Sequence, residues 1–378
     1  MPIMAAVLAA FLTIGLALPV LPLHVHDDLG FGTFAVGLVA GSQFAASLVS
    51  RIWAGVYCDT RGAKRGLVLG LLTASASGLL YLLSVAAGGT PLLAIAILLC
   101  GRALLGLAES FIIMGGVSWG LALVDAQHAG KVIAWVGTAM FAALAAGAPL
   151  GSALYGADGF AAIALATALV PLAVLAILTR LPGIAPVHKA ARTAYVDVIR
   201  AVWVPGVGAA LSSIGYGVIL AFSPLLFADR GWHPVWLAFT AYAVALILAR
   251  FLFGHLPDRL GGARIALLFV LVEAAGLALI WLASGPLLAI MGAVLTGFGY
   301  SLVYPGFGAE AVRGVPAQNR GLAMGIYTAF LDVALGLGSP ALGLAAARTS
   351  LGAVFLFSAL IVLGAGGIAL RLLRPVRS

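Results

Sequence analysis

The chain has 378 residues, of which 63% are hydrophobic and 8% charged, with a mean hydropathy of +1.17. A water-soluble protein of this length could not hide so much apolar surface, so the bilayer is its solvent. A net charge of +8 would suit a nucleic-acid partner, but the bases sit in short connections between apolar runs rather than on one face, which excludes that partner.

Runs long enough to cross roughly 30 Å of hydrocarbon fall at 3–23, 33–58, 66–87, 91–121, 131–156 and 160–180, then at 201–228, 233–256, 264–284, 286–312, 321–346 and 351–372. The first, Ile3–Leu23, has no basic segment before it and no small-residue cleavage site after it, so a retained span is expected. After it, His24, His26, Asp27 and Asp28 read as a short solvated loop, whose spacing does not establish a metal site. The longest connection, Leu181–Arg200, contains Lys189, Arg192 and Arg200 and divides the chain. The expected organisation is therefore all-α: six helices over 1–180, a cytoplasmic linker over 181–200 and six helices over 201–378. Bases concentrate in the loops after even-numbered spans, in the linker and in the tail (Arg371, Arg374, Arg377), which puts both termini in the cytoplasm.

The two halves repeat. "RIWAGVYCDTRG" at Arg51 matches "RFLFGHLPDRLG" at Arg250, aligning Gly55 with Gly254, Asp59 with Asp258 and Gly62 with Gly261. "AQHAG" at Ala126 pairs with "AQNRG" at Ala317, and "AGAP" at Ala146 with "LGSP" at Leu337. Two six-helix halves in the same order imply a parallel repeat about an axis along the membrane normal, as in transporters that rock two bundles around a central site. Within the repeated loop, an acid such as Asp59 can bond the free N–H groups at the start of a neighbouring helix. Gly55 permits close approach and Gly62 a tight reversal. Arg61, Lys64 and Arg65 meet lipid phosphates or carboxylates, and Asp258 and Arg259 repeat the arrangement. The stretch reads as a cytoplasmic latch.

On these residues the chain resembles the major facilitator superfamily. Its loop signature, Gly-x-x-x-Asp-Arg/x-x-Gly-Arg/x-Lys/Arg, appears as Gly55, Asp59, Gly62, Lys64 and Arg65, with Thr60 where Arg usually follows the Asp. Arg102 and Gly106 resemble the Arg/Gly motif of the fourth helix, and Gly147–Ser152 is a degraded form of the antiporter motif, with Ala148 where Gly precedes Pro. The resemblance implies two pseudo-symmetric six-helix bundles, alternating access and, commonly, proton coupling. It also implies that the third, sixth, ninth and twelfth helices are peripheral, which would keep Glu273 away from the cavity.

Ionisable groups at bilayer depth are functional candidates. Arg102 and Glu109 share a face of the fourth span, about 10 Å apart along its axis, and with Asp332 of the eleventh form the expected proton-coupling set. Asp332 is present in one half only; its repeat counterpart is Phe141. Gln43, Ser47 and Arg51 make a polar stripe on the second span, while Tyr216, Tyr300 and Tyr304 can line a substrate site as amphipathic rings. Helix–helix bonding and core packing are the competing uses. Glu310 reads as solvated or gate-related.

No Ser-His-Asp set, HExxH motif or phosphate-cradling loop is present, which counts against a membrane enzyme. The reading is a secondary transporter of a small organic solute in the bacterial inner membrane, expected to work as a monomer. Proton-coupled efflux leads; uptake of a sugar or organic acid by a symporter or facilitator is the alternative. Protons and membrane lipid are the other expected partners, with no cofactor and no metal.

Overall fold

The structure, a computed structural model, describes residues 2–123, 129–180, 195–313, 315–316 and 320–373. Lys189, Arg192, Arg374, Arg377 and most of the Ala126/Ala317 repeat pair lie outside the described residues. Among those described there is no strand.

The first helix, α1 (Pro2–Ala17), is interrupted around Pro19 and Pro22, which lack the N–H a continuous ladder needs. It resumes as Leu21–Leu23 and a π-helical turn, His24–Asp28. The solvated loop expected here is therefore wrong for His24: the i, i+4 spacing lets its Nδ1 meet Asp28 Oδ2 at 2.7 Å, and its buried ring stacks on Phe160 at 4.0 Å. Next come α2 (Thr33–Arg61), α3 (Ala63–Ala86) and α4 (Pro91–Ala122). A helical stretch, Ala129–Leu178, is broken at Asp158 and Gly159 (φ +66°), giving α5 (129–157) and α6 (160–178). In the second half, α7 (Tyr195–Asp229) starts inside the segment expected to be linker. It is followed by α8 (Leu237–Phe253), a short helix Leu256–Leu260, α9 (Gly262–Trp281), α10 (Pro286–Arg313), α11 (Arg320–Arg348) and α12 (Ala353–Leu373).

The chain divides into two compact units, Met1–Ala190 and Ala191–Ser378. In the first, α1 packs on α5, α2 on α4, and α3 on both α4 and α6. In the second, α7 packs on α11, α8 on α10, and α9 on both α10 and α12. The same pairing recurs, atom for atom at the closest crossings. A Cβ at Gly106 would overlap the carbonyl of Gln43, and one at Gly297 the carbonyl of Tyr242. Gly115 lies against Ala63 and Leu67, and Gly306 against Gly262 and Ala266. Lipid supplies no hydrophobic drive between helices, so small residues that let backbones touch do the holding.

These contacts fix the register. Numbers in the second copy run ahead by 199 in its first three helices (Gln43 against Tyr242) and by 191 in its last three (Gly106 against Gly297). The difference is confined to one hairpin. α3 and α4 have 24 and 32 residues, whereas α9 and α10 have 20 and 28, so each arm is four shorter. Outward faces are apolar: Ile52 and its counterpart Phe251 are 74% and 85% exposed, which suits a bilayer and not water.

Candidate functional site

In the first unit, α2 and α4 cross at Gly106 closely enough for short side chains to meet between them. Gln43 Nε2 donates to Glu109 Oε2 at 2.7 Å, and Glu109 remains partly accessible. One turn on, Ser47 and Ser110 join through their hydroxyls at 3.0 Å, Ser50 donates to Ser110 at 3.0 Å, and Arg51 reaches Ser47 at 3.4 Å. The charges of Arg51 and Arg102 both act on Glu109. Arg102 is fully buried; its Nε points at the Val39 carbonyl (3.4 Å) and Nη1 at the Tyr81 hydroxyl (3.5 Å), while Nη2 has no hydrogen-bond partner among the described residues. Tyr81 in turn packs against Phe160, the ring under His24. The polar stripe of α2 thus meets Glu109 across the α2–α4 crossing through Gln43, while Arg102 bonds on the other side, to Val39 and Tyr81.

The second unit fills the same positions differently. Tyr242 stands where Gln43 does and Tyr300 where Glu109 does, with ring centroids 6.5 Å apart. Tyr216 stacks on both, at 5.9 and 5.8 Å, and Ser213 bonds the Tyr300 hydroxyl at 3.2 Å. Arg250, the counterpart of Arg51, reaches the carbonyl of Ser301, the counterpart of Ser110, at 3.3 Å. Tyr304 does not join the other rings in a stack. It packs on Tyr327 of α11 at 4.9 Å and meets Thr328 at 2.8 Å. Asp332 is buried in α11. Glu273, expected at the periphery, is fully buried and bonded by Ser212 of α7 at 2.5 Å, because the side chain points inward from its helix. Tyr242, Ser212 and Ser213 were missed from the sequence; the register of Tyr242 on Gln43 was the signal available.

At the repeated loop, Gly62 (φ +95°) and Gly261 (φ +90°) adopt the same conformation, one that only glycine takes readily, and reverse the chain within one residue. Asp59, Arg61, Arg65, Asp258 and Arg259 are exposed. The close approach expected of Gly55 is not made, since a Cβ there would meet nothing within 4 Å. Nor does Asp59 bond a helix start: it forms no hydrogen bond or ion pair among the described residues. In the second unit that task falls to Glu310, which accepts from Ala263 N–H at the start of α9 (3.0 Å) and from Arg313 (2.9 Å). Glu310 is therefore a cap rather than a solvated acid.

The sequence profile of the Major Facilitator Superfamily matches residues 3–239 and 206–378. An uncharacterized MFS-type transporter of Salmonella typhimurium is 42% identical over 98% of this chain and 96% of its own length. The uncharacterized MFS-type transporter YhhS of Escherichia coli K12 is 39% identical over 94% and 87%. Among solved structures, the nucleoside transporter NupG has the same fold, with a TM-score of 0.80 at 13% identity over 99% of both chains. A D-xylose-proton symporter gives 0.74 at 14% identity over 96% of this chain and 95% of its own. With two matching six-helix units, apolar outer faces and these relatives, the chain is a multi-pass membrane transporter belonging to the major facilitator superfamily.

Proposed function

We propose that the protein exports a small organic solute from the cytoplasm in exchange for protons, by alternating access. The observation that carries this reading is the Gln43–Glu109 bond at 2.7 Å on a partly accessible acid, with Arg51 and Arg102 close enough for their charges to act on it. A carboxylate near a cation that moves has its proton affinity changed as that cation approaches or withdraws, which is what coupling requires. Glu109 or Asp332 carries the proton, Arg102 responds to it, and Gln43 with Tyr216, Tyr300 and Tyr304 lines the solute path. Gly55, Asp59, Arg61, Gly62, Arg65, Asp258 and Arg259 form the cytoplasmic gate. Asp59 is free to engage a helix end in another conformation.

The location is the bacterial inner membrane with both termini cytoplasmic, from the distribution of bases, and the working unit is a monomer of two bundles joined by a cytoplasmic linker. Export is favoured by the Gly147–Pro149 motif, whose Gly147 lies against the backbone of Gly15. The second reading is uptake by proton symport, favoured by Ala148 within that motif and by the name of the D-xylose-proton symporter. Counterflow of candidate solutes in proteoliposomes, with and without an imposed pH gradient, separates the two. Accumulation against the proton gradient supports export, accumulation along it supports symport, and indifference to it removes proton coupling.

A further inference from the structure

Glu273 sits mid-way along α9, and room for it is made by both neighbours. At Gly299 of α10 a Cβ would overlap the backbone of Glu273, and at Gly215 of α7 a Cβ would meet its Oε1. α9 therefore lies hard against α10, and its carboxyl reaches past to α7. There Ser212 Oγ donates to Oε2, while Oε1, fully buried, has no hydrogen-bond partner among the described residues. The Tyr242 hydroxyl is likewise buried and unpartnered.

The titratable groups around this acid can be named element by element. α7 contributes Tyr216, α8 Tyr242 and α10 Tyr300; the last two act on the carboxyl electrostatically. Arg250 of α8 acts on the tyrosines. On α12 the only titratable side chain is Arg371, near its end. Arg264, Glu310 and Arg313 lie at the end of α9 and α10 marked by Gly262, together with Asp258 and Arg259 of the short helix. Among the described residues no cation contacts Glu273, and a buried charge without a cation is the costly case. A carboxyl that keeps its proton avoids that cost.

We propose that Glu273 is a proton-binding site of the C-terminal bundle, separate from Glu109, which loads and releases its proton as Ser212 and the Tyr242–Tyr300 pair rearrange around it. On release the carboxyl O–H bond breaks and the proton passes to water entering the cluster; the Ser212 and Tyr242 hydroxyls then donate to the carboxylate left behind. The geometry is a counterpart of the first unit's site: there the acid comes from α4, and here tyrosine fills that position and the acid arrives from α9. This inference does not need Glu109 or Asp332 to carry the coupling proton.

The test is infrared difference spectroscopy of the full chain in liposomes, titrated with acid and base in the absence of solute. We expect a protonated-carboxyl band that bleaches as pH rises, disappears in Glu273→Gln and survives in Glu109→Gln. Ser212→Ala should move its midpoint to higher pH, because a donor to the charged form is lost. Should Glu273→Gln fold poorly, Gly215→Ala serves instead, since its methyl displaces Oε1 and must shift the same band. A band present in wild type and unchanged in Glu273→Gln overturns the proposal, as does a midpoint unmoved by both Ser212→Ala and Gly215→Ala. A band that responds to sodium at fixed pH assigns the site to a metal ion and overturns it too. Failure of the transport reading would appear instead in counterflow, where the pH gradient has no effect.

Discussion

Replacing Gln43 with Leu removes the amide that holds Glu109 while keeping a side chain of similar size. The lost bond is a hydrogen bond to a carboxylate, a class worth about 1.5–3 kcal/mol. At about 1.36 kcal/mol per pH unit, the midpoint of Glu109 protonation should move by roughly one to two units. The direction follows from which form the amide supports. It donates to the ionised acid, so its loss makes the proton bind more tightly, and the acid stays protonated to higher pH. Because Glu109 is partly accessible, water can replace part of the bond, and the lower end of that range is expected. Folding should not suffer: Gln43 Oε1 is buried without a hydrogen-bond partner among the described residues, and leucine removes that acceptor. The assay is the pH profile of solute exchange in proteoliposomes. A folded Gln43→Leu variant whose profile coincides with wild type would refute the assignment.

Arg102→Lys should keep part of the coupled transport and Arg102→Gln less, with the pH profile of the Gln variant displaced upward by loss of a cation; equal profiles would make Arg102 a packing residue. Neutralising the coupling acid, by Glu109→Gln or Asp332→Asn, should abolish gradient-driven accumulation and spare exchange at equal pH. Both variants retaining full accumulation would remove them from the mechanism. Asp59→Asn should raise labelling of cavity cysteines from the cytoplasmic side, whereas unchanged labelling with poor insertion would mean that the residue only sets topology. Gly106→Val and Gly297→Val should each destabilise by about 1–3 kcal/mol, read as a lower melting temperature in detergent, while Gly55→Val should leave it nearly unchanged because the space there is open.

Most of the fold was legible because each span announces itself by length and the halves share spaced Arg, Gly and Asp residues. The α5/α6 break was visible at Asp158 and Gly159, in a gap between two apolar runs. The start of α7 was not, since Tyr195–Arg200 is too polar to read as a span. The site was legible by residue type and face but not by partner. A 3.6-residue period places Gln43 and Ser47 on one side of α2, and nothing in it says that α4 crosses at Gly106. For Glu273, expected away from the cavity as a structural or interfacial carboxylate, the sequence did not show that Gly215 and Gly299 admit its carboxyl between α9, α10 and α7. The solvated alternative for Glu310 failed because its two partners, Ala263 N–H and Arg313, belong to the end of a helix pair rather than to a motif.

The hairpin of α3 and α4 exceeds that of α9 and α10 by four residues in each arm, about 6 Å of height at 1.5 Å per residue. Four residues make about one full turn, so both arms gain length with little change in the direction their side chains face. The starts of α3 and α9 and the ends of α4 and α10 stay aligned, and the whole excess is spent at the free tip. Duplicated halves can therefore diverge in stature while their crossings remain in phase. The tip at 87–90 is where a further whole-turn extension, such as a helical epitope built into both arms, should be absorbed without re-aiming Glu109; a half-turn extension would put the two arms out of step.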